Sequence, residues 1–104
     1  MSKSGESPAL LLRIYAQRIK NLDASEDLET DGILVLLTRN DLSATDLAPQ
    51  EQRRLAELDE ALVRRWRKVA KALPNPNFQD RLHWWWFLYE GPQVRERVQI
   101  EAIV

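Results

Sequence analysis

The chain has 104 residues, a mass of 12.2 kDa, and 15 basic against 16 acidic side chains, for a formal net charge of −1. Its hydrophobic share of 44% and charged share of 30% are typical of one soluble globular domain and exclude a disordered chain. The lack of cysteine excludes disulfides, thiolate metal sites and cysteine nucleophiles, and one histidine, His83, leaves little for a zinc site or a catalytic triad.

A first amphipathic helix is predicted over about residues 8–22. Ser7 is a favourable N-cap and Pro8 a favourable first helical residue. The apolar residues that follow recur at helical spacing and form one stripe: Leu11, Tyr15, Ile19 and Leu22.

A second helix is predicted from about Ser25 to Asn40. Ser25 would cap it, and the acid-rich stretch 26–29 suits the positive end of the helix dipole. The apolar block 33–37 would be largely buried. Gly32 and the shortness of that block are also compatible with a buried strand, but no convincing partner strand stands nearby, so a helix is favoured.

The longest helix is predicted over about 49–73, from Pro49 to the break at Pro74-Asn75-Pro76. Its apolar stripe is the clearest in the chain: Leu55, Leu58, Leu62, Trp66, Val69 and Leu73. Asn77 then caps a further predicted helix that runs through the tryptophans to about Tyr89, where Gly91 and Pro92 supply a stop.

The tail from Gln93 to Val104 fits both strand alternation and helical spacing, and a short helix is preferred. The predicted fold is therefore all-α, a small compact bundle of four to five helices with a short C-terminal strand or helix. Residues 1–6 are expected to be a disordered N-terminus and residues 7–104 a single helical domain. Leu82, Trp85 and Tyr89 are expected in its core.

The most unusual feature is the aromatic run His83-Trp84-Trp85-Trp86-Phe87. On a helix, three consecutive tryptophans spread over about 200° of the circumference, so the Trp84 side points away from the face that carries Trp85. Two interpretations remain open. Either all these rings lie in the core, or the Trp84 side binds a partner protein, since tryptophan is enriched in binding hot spots. The second interpretation predicts these partner-binding residues: His83, Trp84, Phe87 and Leu88.

A second candidate surface is the basic cluster of the 49–73 helix: Arg64, Arg65, Arg67, Lys68 and Lys71. Residues 51–73 carry seven basic and four acidic side chains, a net of +3, so this cluster is a candidate contact for nucleic acid or an acidic protein. A solvated helix face is the alternative, because acids gather in the first half and bases in the second, as the helix dipole prefers. Glu60 and Arg64 also have the spacing of an ion pair.

Enzyme signatures are missing from the sequence. The three glycines are isolated, so no phosphate-binding loop exists. The acidic stretch 27–32 resembles the opening of a calcium loop, but Thr38 stands where a bidentate glutamate is needed. We therefore predict no catalytic residue, no cofactor and no metal. A ligand pocket beside His83 would be the exception.

The leading hypothesis is a non-catalytic protein–protein interaction module, such as an adaptor, regulatory subunit or assembly factor. Its partner would be another protein or a second copy of the chain, with a homodimer as one form. The alternative is a nucleic-acid-binding or transcription-associated protein that uses the basic cluster. The apolar runs are too short to span a membrane, and residues 1–6 do not resemble a secretory signal, so a cytoplasmic location is expected.

Overall fold

The structure, a computed structural model, describes residues 7–70 and 83–97, without the side chain of Tyr89. Within these ranges it is all-α and contains no strand, which confirms the predicted small helical bundle. Several predictions lie outside the described residues. They concern the N-terminus 1–6, the segment 71–82 with Lys71, Leu73, Asn77 and Leu82, and the tail 98–104.

The first helix, α1, spans Pro8–Asn21, so its predicted bounds are correct to one residue. Ser7 is the N-cap as predicted, because its Oγ accepts a hydrogen bond from the Leu10 amide at 3.2 Å. A short 3₁₀ turn, Leu22–Ala24, follows and leads towards the second helix.

The second helix, α2, spans Leu28–Ser43, which settles the choice between helix and strand for residues 33–37. The predicted cap was wrong by two residues. Asp27 caps α2 by accepting the Thr30 amide at 3.2 Å, while the Oγ of Ser25 accepts the Asp27 amide at 3.0 Å and holds the turn before the helix. Asp27 is therefore the cap and Ser25 orders the turn before it, so the helix starts later than the acid-rich sequence suggests.

The helix predicted as one element over 49–73 is broken. The structure has α3 at Pro49–Arg64 and α4 at Trp66–Ala70, and Arg65 between them has a φ of −104° and a ψ of 22°. The Arg65 amide bonds to Leu62 O at 2.9 Å, which leaves Ala61 O without its usual partner. The Arg65 guanidinium replaces that partner, because its Nη1 donates to Ala61 O at 2.8 Å. No glycine or proline marks this break in the sequence.

The aromatic run is not the α-helix that was predicted. Trp84–Glu90 forms a 3₁₀ segment, His83 before it has non-helical angles, and Phe87 kinks it at φ −116°, ψ 17°. A 3₁₀ segment turns by about 120° per residue, so consecutive tryptophans still spread around it. All three are nevertheless buried, because the segment packs against both α2 and α4. The predicted stop is confirmed, since Gly91 has a φ of 119°, a conformation that disfavours other residues.

One apolar core joins these elements. α1 packs against both α2 and α3, while α4 and α2 pack against the 3₁₀ segment. The predicted core residues Leu11, Tyr15, Ile19, Leu58, Leu62, Val69 and Trp85 are buried, and Leu55 and Trp66 are partly buried against them. No helix in the described ranges is long and apolar enough to cross a membrane.

Candidate partner-binding site

A buried polar network stands at the centre of the bundle. Tyr15 Oη donates to Asp59 Oδ1 at 2.7 Å, and Arg39 donates to the same carboxylate through Nε (2.8 Å, to Oδ1) and Nη2 (3.1 Å, to Oδ2). Asp59 and Arg39 are only 4% and 8% exposed. The network therefore ties α1, α2 and α3 together inside the core.

The aromatic segment closes over this network. The Arg39 guanidinium lies 4.1 Å from the ring centroid of Trp85 and 5.8 Å from that of Trp84. His83 stacks on Trp85 with centroids 4.7 Å apart. Trp86 Nε1 donates to Asn40 Oδ1 at 3.3 Å. Cation–π contacts and one hydrogen bond thus attach the segment to α2.

The predicted partner-binding residues are placed in this core. Trp84, Phe87 and Leu88 are 4%, 5% and 1% exposed, and His83 is half-buried against Trp85. The structure thus brings the four residues together, but as core. The interpretation in which the Trp84 side meets a partner loses the exposed surface that it requires.

Alkaline pH is expected to destabilise the fold through Tyr15. Burial raises the pKa of Tyr15 well above its ordinary value of 10.0, and the Asp59 carboxylate raises it further. In the unfolded chain the Tyr15 hydroxyl ionises near that ordinary value, whereas in the folded chain it keeps its proton. The contribution of Tyr15 to the free energy of unfolding is therefore fully present below about pH 10 and falls as the pH rises above it. Denaturant unfolding between pH 8 and 11 measures this slope, which Tyr15→Phe should flatten. Ionisation of both tyrosines near pH 10 in the folded protein would contradict it.

The basic cluster is divided by the acidic side chain of Asp23. Arg65 Nη2 and Lys68 Nζ lie 2.8 and 3.2 Å from the Asp23 carboxylate. Hydrogen bonds from Arg65 and then Lys68 lower the pKa of Asp23 to about 2, so Asp23 is ionised across the neutral range and offsets one of these two positive charges. Arg64 and Arg67 remain exposed, and Lys71 lies outside the described residues. Of the four predicted cations that the structure describes, two are thus paired with a carboxylate, which lowers the positive charge of this surface.

Glu60 bonds to a residue that the sequence did not indicate. Its Oε1 accepts a hydrogen bond from Arg95 Nη1 at 2.6 Å, whereas Arg64 was the predicted partner. The Arg95 guanidinium also lies 5.5 Å from the Trp84 ring centroid. This contact attaches the chain after Gly91 to α3 and covers the Trp84 side.

An open groove runs between α1 and α3 on the outside of the bundle. It has a cavity volume of about 440 Å³. Its floor is mostly apolar: Ala9 is exposed, Ala16 is half-buried, and the side chain of Leu12 lies buried beneath them. The residues of this α1/α3 groove are Ala9, Leu12, Arg13, Ala16, Gln17, Lys20, Gln50, Glu51 and Arg54.

The rim of the α1/α3 groove is positively charged. Arg13 and Lys20 are exposed and make no ion pair within the described ranges, while Arg54 pairs with the exposed Glu57 at 3.3 Å. The one rim carboxylate, Glu51, accepts the Ala48 amide at 2.8 Å and so serves the start of α3. An apolar floor with cations on its edge suits an amphipathic segment that carries acidic residues.

Comparison of the chain with protein-family models, with curated proteins and with solved structures finds no match. The described residues also contain no cluster of three metal-ligating side chains. The fold and its surfaces therefore define a class, a small all-α bundle with a buried polar core and an apolar groove. The sequence carried one signal for that groove, the small residues Ala9 and Ala16 one heptad apart beside Leu12.

Proposed function

We propose that this protein is a non-catalytic protein–protein interaction module and that the α1/α3 groove is its binding surface. The observation that carries the proposal is the pairing of an apolar floor with a rim of three cations. Helix-in-groove recognition uses this arrangement, in which apolar anchors enter the floor and charges on either side set the orientation.

A binding role agrees better with the buried ionisable groups than a catalytic role does. Asp59, Arg39 and Tyr15 satisfy one another's hydrogen bonds in the core, where they stabilise the bundle rather than face a ligand. His83 stacks on Trp85 instead of bonding to a carboxylate in any contact of the described residues. A general base needs both a positioned partner and access to substrate.

The partner that the groove favours is a short amphipathic helix with acidic residues beside its apolar side. Arg13 and Lys20 stand seven residues apart on α1, about 10 Å along the helix axis. Acidic residues on a partner helix that lies along the groove would pair with these two cations, whose long flexible side chains adapt to the spacing.

The alternative, nucleic-acid binding, has weaker support. Asp23 forms ion pairs with Arg65 and Lys68. A carboxylate in the middle of a basic cluster repels phosphate. Arg64 at the end of α3 and Arg67 on α4 are left as separate exposed cations.

The test reverses the groove charges and compares partner recovery. Arg13→Glu/Lys20→Glu should lower affinity for the partner by about ten- to a hundredfold, because two attractive contacts become repulsive. Tagged wild-type and variant chains are used to recover partners from the source cells, with and without nuclease, and recovered proteins are quantified by mass spectrometry. One protein in stoichiometric amount, indifferent to nuclease and lost with the variant, is expected.

The matched control is Arg53→Glu/Arg64→Glu, which changes the net charge equally at exposed positions outside the groove. It should retain the partner. Equal loss in both variants would show an effect of net charge and contradict the groove. Recovery of nucleic acid that falls with Arg53→Glu/Arg64→Glu and with added salt would favour the alternative.

A further inference from the structure

A second surface of the same chain has the chemistry that the α1/α3 groove requires. The α2 outer stripe consists of residues at spacings of four, three and four: Thr30, Leu34, Leu37 and Asp41. Leu34 and Leu37 are 37% and 46% exposed, although both are large and apolar. Two exposed leucines one turn apart are typical anchors of a helix that binds in a groove.

The charge of this surface is opposite to that of the groove. Glu29, Asp31 and Asp41 are the acidic residues of α2, and Glu29 and Asp41 are exposed. The single cation of α2, Arg39, is buried against Asp59 and contributes nothing to the surface. α2 therefore presents Leu34 and Leu37 with the exposed carboxylates of Glu29 and Asp41 near them. The half-buried Arg18 of α1 is a cation beside this surface, and its Nη1 is held by Leu34 O and Thr38 Oγ1.

We propose that this protein associates head to tail with further copies of itself, the α2 outer stripe of one copy binding in the α1/α3 groove of the next. The proposal rests on the proposed function, because it names the partner of the same groove. The two leucines contact the alanine-rich floor, and the carboxylates of α2 pair with the cations of the rim. A formal net charge of −1 sets little repulsion between copies.

The groove and the stripe of one copy cannot meet. Arg18 marks the side of α1 that faces α2, since its Nη1 donates to Leu34 O at 3.1 Å and to Thr38 Oγ1 at 2.6 Å. Ala16 and Lys20 are each two residues from Arg18, about 200° around the helix, so the groove faces the other way. Each contact thus joins two different surfaces and leaves one groove and one stripe open, which produces a chain or a closed ring.

The test uses two variants, each with one surface disabled. Arg13→Glu/Lys20→Glu disables the groove, and Leu34→Gln/Leu37→Gln disables the stripe; all four positions are exposed. Sedimentation velocity of the wild-type protein should show a mass that rises with concentration beyond two chains. Each variant alone should stay at 12.2 kDa. An equimolar mixture should form a dimer and nothing larger, because one intact groove meets one intact stripe.

Three results would overturn the proposal: a wild-type chain that stays monomeric at every concentration, variants that still associate alone, or a mixture that stays monomeric. A monomeric wild type whose partner recovery still depends on Arg13 and Lys20 would refute self-association and leave the proposed function intact. If recovery does not depend on them, both fail. Circular dichroism checks the helix content of each variant. The single substitutions Lys20→Glu and Leu37→Gln replace a double variant that loses it.

Discussion

Asp59→Asn is expected to lower the free energy of unfolding by about 3–5 kcal/mol, since breaking a buried ion pair leaves the other charge without compensation. The side chain of Asp59 accepts both hydrogen bonds from Arg39 and the one from Tyr15, and it is 4% exposed. The substitution keeps the shape of the side chain, so the loss reports charge rather than a cavity. Small domains have a total stability of about 5–15 kcal/mol, so the variant should unfold at far lower denaturant concentration.

Two further variants separate the charge from the hydrogen bonds. Tyr15→Phe removes one neutral donor and should cost only about 1 kcal/mol. The double variant Arg39→Met/Asp59→Leu removes both charges and should recover most of the stability that Asp59→Asn loses. Guanidinium unfolding followed by circular dichroism measures all three. A loss below about 1 kcal/mol for Asp59→Asn would mean that solvent reaches the Arg39 guanidinium.

The first helix and its apolar face were predictable because local and long-range preferences agree there. Ser7 and Pro8 favour a helix start where the stripe through Leu11 and Tyr15 begins, and the structure uses both. Gly91 likewise ends its segment as predicted, since a φ of 119° is easily adopted by glycine alone. On α2 the helix was predicted, but the block 33–37 was expected to be largely buried, which is wrong for the exposed Leu34 and Leu37.

The break at Arg65 was not predictable from spacing. The apolar stripe continues in phase from Leu62 through Trp66 to Val69, and no local breaker interrupts it. The break coincides with a long-range contact, since Arg65 bonds to Asp23 in the 3₁₀ turn after α1 while its Nη1 donates to Ala61 O. The partner of Arg65, Asp23, lies 42 residues earlier in the chain, so helical spacing alone could not indicate this contact.

The buried network did leave a signal that the prediction missed. Asp59 follows Leu58 and stands four residues after Leu55 and three before Leu62, inside the apolar stripe rather than on the wet side of α3. A carboxylate in that position needs a buried partner. Arg39 stands four residues after Val35 and three before Leu42, in the same position on α2, and it forms the ion pair with Asp59. The pairing itself could not be predicted, because it depends on how α2 and α3 pack.

The groove depends on the same packing. Small residues on one flank of α1 indicate close approach by a neighbour just as well as a cavity, and only the position of α3 decides between them.

The aromatic run shows the opposite relation between sequence and structure. Its composition indicated a special role, and the structure assigns the rings to the core.

Trp84→Ala is expected to lower the free energy of unfolding by about 3–5 kcal/mol, because it removes a large buried ring and leaves a cavity. Trp84 is 4% exposed, contacts the Trp85 ring edge-on at a centroid distance of 5.5 Å, and lies close to the guanidinium groups of Arg39 and Arg95. The interface interpretation of the aromatic run gives a different expectation, a folded variant that has lost only its partner.

Trp66→Ala is the matched control, since it makes the same truncation at a half-buried position on α4. It should cost clearly less than Trp84→Ala, because its ring is partly in water already and leaves a smaller cavity. Urea unfolding at low protein concentration compares the two. Equal stability of Trp84→Ala and the wild type, together with loss of a bound partner, would return the binding surface to the aromatic run. A large loss of stability for Trp84→Ala, together with partner recovery that still depends on Arg13 and Lys20, would show that the tryptophan is part of the core and that the groove is the binding surface.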